Sequence, residues 1–452
     1  MAKARFGTDG VRGVANDELT AELALAIGRA TARVLPAPGF VVGRDTRRSG
    51  PMLSAALSAG LATEGADVFD LGVLPTPGVA TVAARRRLPG AVVSASHNPF
   101  GDNGIKLFSS LGTKLPVGLE ADVEREIASI LEDSERPPRR PTGYGVGRII
   151  ADPGAADLYR EQLMAATDGR TLEGLHIAVD CANGAASAIA PGVFAALGAT
   201  VTTLHDTPDG ANINEKCGST HPGELARTVA GSTADLGLAF DGDADRVIAV
   251  DHTGMVVDGD VLLALFALDL ASRGHLAGNT VVVTVMTNLG FRLAMESHGI
   301  GVRETDVGDR HVLAALDADG LALGGEQSGH IIFRTRSTTG DGILTGIALA
   351  DLMRRSGRSL ADLAHGLVER VPQVLVNVPI PQPERLADCA EVWEAVAKAE
   401  VELGHEGRVL LRPSGTEPLV RVMVEARLAA QADEVAAQLA AVVKDVLGQV
   451  GG

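Results

Sequence analysis

A chain of 452 residues, 46% hydrophobic and 21% charged, can bury several packed cores, which excludes a disordered or low-complexity polypeptide. Its net charge of −17 repels nucleic acid and anionic membranes. A phosphorylated metabolite would be repelled too, unless Arg, Lys and backbone N–H groups form a local nest for it.

In chain order, Phe6 to Gly13 forms a Gly-rich loop with a single Arg12 and is no P-loop. Leu23, Ile27, Ala30 and Val34 recur at helical spacing. The apolar run Phe40-Val41-Val42 ends in Gly43-Arg44-Asp45, and Ala91-Val92-Val93 ends in Ser-Ala-Ser-His-Asn-Pro, starting at Ser94. Ile177 to Val179 ends in Asp180-Cys181-Ala182-Asn183-Gly184, Leu236 to Phe240 in Asp241-Gly242-Asp243, and Val281 to Met286 in Thr287-Asn288. Leu321 to Leu323 leads into Gly324 to His330. A strand at Leu419 to Val424 precedes a final helix marked by Val435, Leu439, Val442, Val443 and Val446.

Apolar strands alternating with helices predict an α/β protein with parallel sheets covered on both faces. Functional loops then fall at the carboxyl ends of strands, where the polar clusters lie. Breaks at Glu135 to Pro141, after Asp251 and at Val378 to Pro383 give four units: 1–150, 151–251, 252–370 and 371–452. The first three repeat a strand–loop–helix theme; the last is a smaller α+β unit. Three cysteines, Cys181, Cys217 and Cys389, point to a reducing compartment. No apolar leader follows Met1, and the longest apolar run, Leu262 to Ala271, is broken by Asp269. A soluble, cytoplasmic protein is expected.

Asp241, Asp243 and Asp245 alternate with small residues before Arg246. Such a trio is either a solvated acidic turn or a hard-cation site, with Mg²⁺ favoured where room is left for a phosphate oxygen. An EF-hand fails, because its Gly and Glu positions hold Arg246 and His252. Arg246 either pairs with the aspartates or faces a second anion, and a phosphate on Ser96 would fit. Ser96 lies outside any G-x-S-x-G elbow. His97 is an awkward base for its neighbour, since successive strand residues face opposite ways; it either contacts phosphate or orders the loop. Lys106 is either a snorkelling surface lysine or a proton carrier in a charged site. Glu326 and Ser328 can bridge vicinal sugar hydroxyls or belong to a plain turn. Arg412, Ser414, Gly415 and Thr416, with Arg421 beyond, combine cations, hydroxyls and free N–H groups into a phosphate nest.

These motifs, in this order, resemble the α-D-phosphohexomutases over nearly the whole chain. The match covers Ser94 to Pro99, Asp241 to Arg246, Gly325 to His330 and Arg412 to Pro418. Phe6 to Gly13, Asn212-Ile213-Asn214 with Cys217 to His221, Val285 to Asn288, Val307 to Arg310, and Gln327 are closer to the family's glucosamine-phosphate branch. The resemblance implies three related doubly wound α/β domains and a smaller C-terminal α+β domain, heart-shaped around a central cleft. It implies a phosphoryl group on Ser96 and one Mg²⁺ held by that phosphoserine and by Asp241, Asp243 and Asp245. The substrate would be a phosphosugar, converted through a hexosamine 1,6-bisphosphate that also acts as activator. In this scheme Arg12, His97, Lys106 and Arg246 serve the transfer, with Arg12 orienting the phosphoserine and Lys106 carrying the proton. Glu326, Ser328 and His330 grip the sugar, and Arg412, Ser414, Gly415, Thr416 and Arg421 hold the idle phosphate. The rivals are a phosphomannomutase or phosphoglucomutase, a phosphatase built of the same parts, and a non-catalytic phosphosugar-binding regulator. No nucleic-acid or membrane partner is expected, and a homodimer is compatible with the resemblance.

Overall fold

Strands almost free of polar residues occupy the sheet centres, and the loops at their carboxyl ends carry the chemistry. A computed structural model describes residues 5–7, 9–132, 140–414 and 418–448. They fall into two units, residues 1–284 with 303–365, and residues 285–302 with 366–452.

The first unit begins with β1 (Val11–Val14), α1 (Ala21–Val34), β2 (Gly39–Arg44), α2 (Gly50–Thr63), β3 (Asp67–Val73) and α3 (Thr76–Arg86). β4 (Gly90–Val93), β5 (Asp102–Phe108), α4 (Val117–Glu132) and β6 (Ile149–Ala151) follow. The sheet order is β1-β5-β4-β2-β3-β6. Thr20 starts α1 by accepting from Leu23 N. Leu23 and Ile27 then pack with Leu57, Val42, Val93, Ile105 and Val123 in one buried core.

After α5 (Ala156–Met164), a second sheet is built from β7 (His176–Asp180), β8 (Thr200–Leu204), β9 (Leu236–Phe240), β10 (Val247–Asp251) and β11 (Val256–Val257). α6 (Ala190–Ala196) precedes β8, and α7 (Gly223–Ala230) precedes β9. The order is β11-β10-β9-β7-β8. Directly after Asp251, where a break is expected, the chain makes a hairpin turn. The Asp251 carboxylate accepts from Thr253 N and Met255 N, which folds β11 back onto β10.

α8 (Gly259–Ser272), capped by Asp258, leads to a third sheet containing β12 (Thr280–Thr284). After α9 (Leu289–Ser297) and β13 (Gly301–Thr305) come α10 (Asp309–Asp319), β14 (Leu323–Gly325), β15 (Ile331–Phe333), α11 (Gly342–Ser356) and α12 (Leu360–Ala364).

The sheets are mixed rather than purely parallel. β4, β9 and β14 each run parallel to one neighbour, β2, β7 and β12, and antiparallel to the strand that follows them in sequence. The connections Ser94 to Gly101, Asp241 to Arg246 and Glu326 to His330 are too short for a crossover helix, so each chain turns back as a hairpin. The expected strand–loop–helix units are thus strand–loop–strand at all three polar loops.

In the second unit, β16 (Gln373–Pro379), β17 (Gly407–Pro413) and β18 (Leu419–Ala426) form a sheet of order β16-β18-β17, packed on α13 (Ala390–Leu403) and α14 (Ala429–Leu447). Residues 285–302, within the third unit of the sequence, pack with this sheet. Fully buried Glu425 accepts from Asn288 Nδ2 and Leu289 N, and Arg408 donates to Glu425 and to the Val285 and Thr287 carbonyls.

Candidate active site

The Ser94 loop is held from beneath. β2 ends beside β4, which places Asp45 under the loop. Asp45 accepts from Ser94 Oγ at 2.7 Å, and Ser94 Oγ accepts from Ser96 N at 2.9 Å. Fully buried Arg47 pairs with Asp45 and donates to the carbonyls of Ser96 (3.0 Å), Asn98 (2.8 Å), Asp102 (3.0 Å) and Pro99. Asn214 Nδ2 donates to the same Ser96 and Asn98 carbonyls at 2.9 and 3.1 Å. So many donors hold Ser96 in the left-handed region, φ 53°, at a cost of about 1–3 kcal/mol.

That conformation turns Ser96 Oγ onto Asp241, to which it donates at 2.5 Å. Asp241, Asp243 and Asp245 are all buried, and one oxygen from each lies within 4.8 Å of the others. The metal loop approaches closely because Gly242 has no side chain: a Cβ there would lie 2.5 Å from Ser96 O. Thr76, at the start of α3, donates through Oγ1 to Asp243 Oδ2 at 2.6 Å and through N to Asp243 O at 3.0 Å.

Burial and the charges of Asp245 and Asp243 raise the Asp241 carboxyl well above its usual range. Asp245 is held well below that range despite burial, chiefly by Lys106. Buried Lys106 Nζ contacts Asp243 Oδ2 at 2.9 Å, Asp9 at 3.1 Å and Asp245 Oδ2 at 3.3 Å. Burial alone would push its ammonium down, but these carboxylates hold it well above the ordinary value. On the other side, the buried oxygens Asp243 Oδ1 and Asp245 Oδ1 accept no hydrogen bond. Three acidic side chains with two unpartnered oxygens suit a hard divalent cation. Nearby, the Nε–H groups of Arg12 and Arg246 are buried donors that make no hydrogen bond, as suits a site for an anion.

Sequence models of four families match the chain. They are described as phosphoglucomutase/phosphomannomutase alpha/beta/alpha domains I, II and III and C-terminal domain, and match residues 3–134, 157–254, 258–371 and 375–442. The chain belongs to the phosphoglucomutase/phosphomannomutase family. Phosphoglucosamine mutases of Kineococcus radiotolerans and Saccharopolyspora erythraea are 52% and 53% identical to it, over 97% of this chain and 98% of each relative. A crystal structure of a phosphoglucomutase/phosphomannomutase family protein from Burkholderia thailandensis matches with a TM-score of 0.82 at 27% identity, covering 98% of both chains. An Aspergillus fumigatus N-acetylphosphoglucosamine mutase, in complex with GlcNAc-6P and magnesium, shares the fold at TM-score 0.68 and 19% identity, covering 98% of this chain and 96% of its own.

One expectation for this phosphohexomutase changes with the geometry. His97 does not face away from Ser96: its Nδ1 lies 3.3 Å from Ser96 Oγ and 3.3 Å from an Arg246 nitrogen. Strand alternation fails because Ser96 is not extended. Burial, then Arg246 and Arg12, push the His97 imidazole down to about 4, so it is neutral at pH 7. His330 is buried, and its Nε2 accepts from Gly340 N at 3.1 Å while Nδ1 lies 3.7 Å from Asp245 Oδ2. It stands between Asp245 and Asp309, its Nε2 lying 3.7 Å from Asp309 Oδ2.

The other predicted residues are distributed as follows. Arg12 bonds Asn98 Oδ1 at 3.1 Å and pairs with Asp9. Arg246 donates its backbone N–H to Asp241 at 3.2 Å, while its Nε stays 3.9 Å from Asp245. Glu326 accepts from Gly308 N at 3.1 Å and lies 3.5 Å from Ser328 Oγ. Gly329 takes φ 87°, and a Cβ there would lie 2.0 Å from Val247 O. In the second unit, Arg412 and Arg421 are direct cross-strand partners on β17 and β18. Burial and the Arg421 charge lower the Arg412 guanidinium, a like-charge pairing that an anion would relieve. Ser414 N donates to Leu419 O at 2.9 Å; Gly415 and Thr416 lie outside the described residues.

Sequence reasoning missed Asp9, Asp45, Arg47, Thr76 and Lys114. Lys114 bridges Asp9 and Asp309 at 2.6 and 2.7 Å. Asp45 and Arg47 were detectable in principle, as charged residues directly after an apolar parallel strand. Thr76 and Lys114 carried no such mark.

Proposed function

We propose that the chain is a phosphoglucosamine mutase, interconverting glucosamine 6-phosphate and glucosamine 1-phosphate. Ser96 Oγ gives a phosphoryl group to the free hydroxyl at one end of the sugar, whose proton ends on the freed Ser96 Oγ, producing a bisphosphate. After the sugar reverses, the same oxygen takes the phosphoryl group from the other end. A Mg²⁺ at Asp241, Asp243 and Asp245 would neutralise charge on the transferring group. Arg12 and Arg246 offer their free Nε–H donors to its oxygens. Lys106 remains an ammonium that offsets the carboxylates, which suits it to give a proton rather than take one. Glu326 and Ser328 would hold the sugar hydroxyls, and Arg412, Ser414, Gly415, Thr416 and Arg421 the idle phosphate.

The observation that carries this reading is the Ser96 hydroxyl lodged on Asp241, within the cluster of three buried aspartates. The full-length similarity to phosphoglucosamine mutases favours glucosamine over mannose or glucose phosphate. Three free cysteines and no described helix long and apolar enough to cross a membrane are consistent with a cytoplasmic enzyme. Intact mass should show one added phosphoryl group on the active wild type and none on Ser96→Ala, which should be inactive yet folded. Chelation should abolish turnover and Mg²⁺ restore it. Wild-type activity in Ser96→Ala, or faster turnover of mannose phosphate, would refute the serine role or the sugar assignment respectively.

A further inference from the structure

Besides the aspartate triad, one other trio among the described residues brings candidate metal-ligand atoms within 4.8 Å of one another: Asp180, His205 and Cys217. Asp180 ends β7, and His205 directly follows β8, its parallel neighbour. Cys217 lies on the loop before α7. Asp180 and Cys217 are buried, whereas the His205 side chain is 22% exposed and leaves one edge open to solvent.

His205 Nδ1 lies 3.1 Å from Asp180 Oδ1, and its Nε2 lies 3.6 Å from Glu224 Oε2. A carboxylate on the far nitrogen is the arrangement that orients a metal-bound imidazole. In a tetrahedral site with bonds of ~2.0–2.3 Å, neighbouring ligand atoms are ~3.3–3.6 Å apart, so the trio needs a contraction of at most ~1.5 Å. Its composition differs from that of the triad. A thiol, an imidazole and a single carboxylate select a softer ion than three carboxylates do.

We propose that Asp180, His205 and Cys217 form a second cation site, specific for a thiophilic divalent ion of the zinc class, whose occupancy inhibits the enzyme. The sulfur–metal bond forms as the Cys217 thiol proton leaves to solvent. The route to inhibition is short. The Asp180 carboxylate accepts from Ala182 N and Gly218 N, each at 2.9 Å. Ala182 O accepts from Asn214 N at 2.9 Å, and Asn214 Nδ2 holds the Ser96 and Asn98 carbonyls. Drawing Asp180 and Cys217 onto an ion therefore pulls on both ends of the segment whose Asn214 positions the Ser96 loop.

The test uses full-length protein freed of transition metals and saturated with Mg²⁺. Co²⁺ is titrated while the near-ultraviolet thiolate-to-cobalt charge-transfer absorption is followed. One equivalent should produce the band, Zn²⁺ should remove it, and Cys389→Ser should retain it. Cys217→Ser and the more exposed His205→Gln should lack it, with folding checked by circular dichroism. Half-inhibition by Zn²⁺ should need at least about tenfold more ion in His205→Gln than in the wild type. No band in the wild type, or an undiminished band in either variant, overturns the site. Equal Zn²⁺ inhibition of wild type and His205→Gln overturns its link to the Ser96 loop.

Discussion

Removing the Arg47 guanidinium should unhinge the Ser96 loop. Arg47 and Asp45 form an ion pair with both side chains at 0% exposure, and the same guanidinium donates to four loop carbonyls. Burial pushes the Asp45 carboxyl up, against the pull of Arg47. In Arg47→Met the carboxylate loses its counter-charge inside the protein, and breaking one partner of such a pair costs about 3–5 kcal/mol. That is a large share of the ~5–15 kcal/mol that typically holds a domain. Urea unfolding followed by far-ultraviolet circular dichroism should show the loss as a lower midpoint with an unchanged slope. Asp45→Asn combined with Arg47→Met should recover much of the stability, because no buried charge is left unpaired. It should not recover turnover, since the carbonyls of Ser96, Asn98, Pro99 and Asp102 still lack their donor. Arg47→Lys keeps the charge without the planar fork and should restore folding more than activity. Wild-type stability in Arg47→Met, or wild-type turnover in the double variant, would refute this account of how Ser96 is held.

Arg408→Met should destabilise the second unit by a similar ~3–5 kcal/mol, because Glu425 would be left buried and charged. The only tryptophan, Trp393, lies in α13 of that unit and reports the change by fluorescence, and Glu425→Gln should be milder. Burial pushes the Asp341 carboxyl, which caps α11, up to about 7. A raised carboxyl pKa favours the fold only while the proton is held, so stability should fall as pH rises from ~4 through 7, by a few kcal/mol at most. Asp341→Asn, which keeps the oxygen that accepts from Leu344 N and Tyr159 Oη, should flatten that fall in melts across pH 5–8. Arg421→Ala should raise KM for the phosphosugar about tenfold or more while moving the melting temperature little; an unchanged KM would remove Arg421 from the phosphate nest.

By itself, the sequence determined where chemistry could lie. Apolar runs such as Leu236 to Phe240 fix strand interiors, and a polar cluster directly after such a run marks the strand's carboxyl end. Ser96, the three aspartates and the Glu326 loop were all legible that way, and helical spacing marked the buried faces of α1 and α14. The distances between those loops were not legible. Ser96 and Asp241 are far apart in sequence, and their meeting depends on Gly242 at the crossing and on Arg47 and Asn214 gripping one carbonyl. Tertiary structure also decided that the polar loops are hairpins. It set the reach of His97 as well, because a left-handed residue at Ser96 breaks the alternation that a strand would impose. Local pattern records burial along one segment, whereas long-range hydrogen bonds and close backbone contacts belong to pairs of segments that only folding brings together.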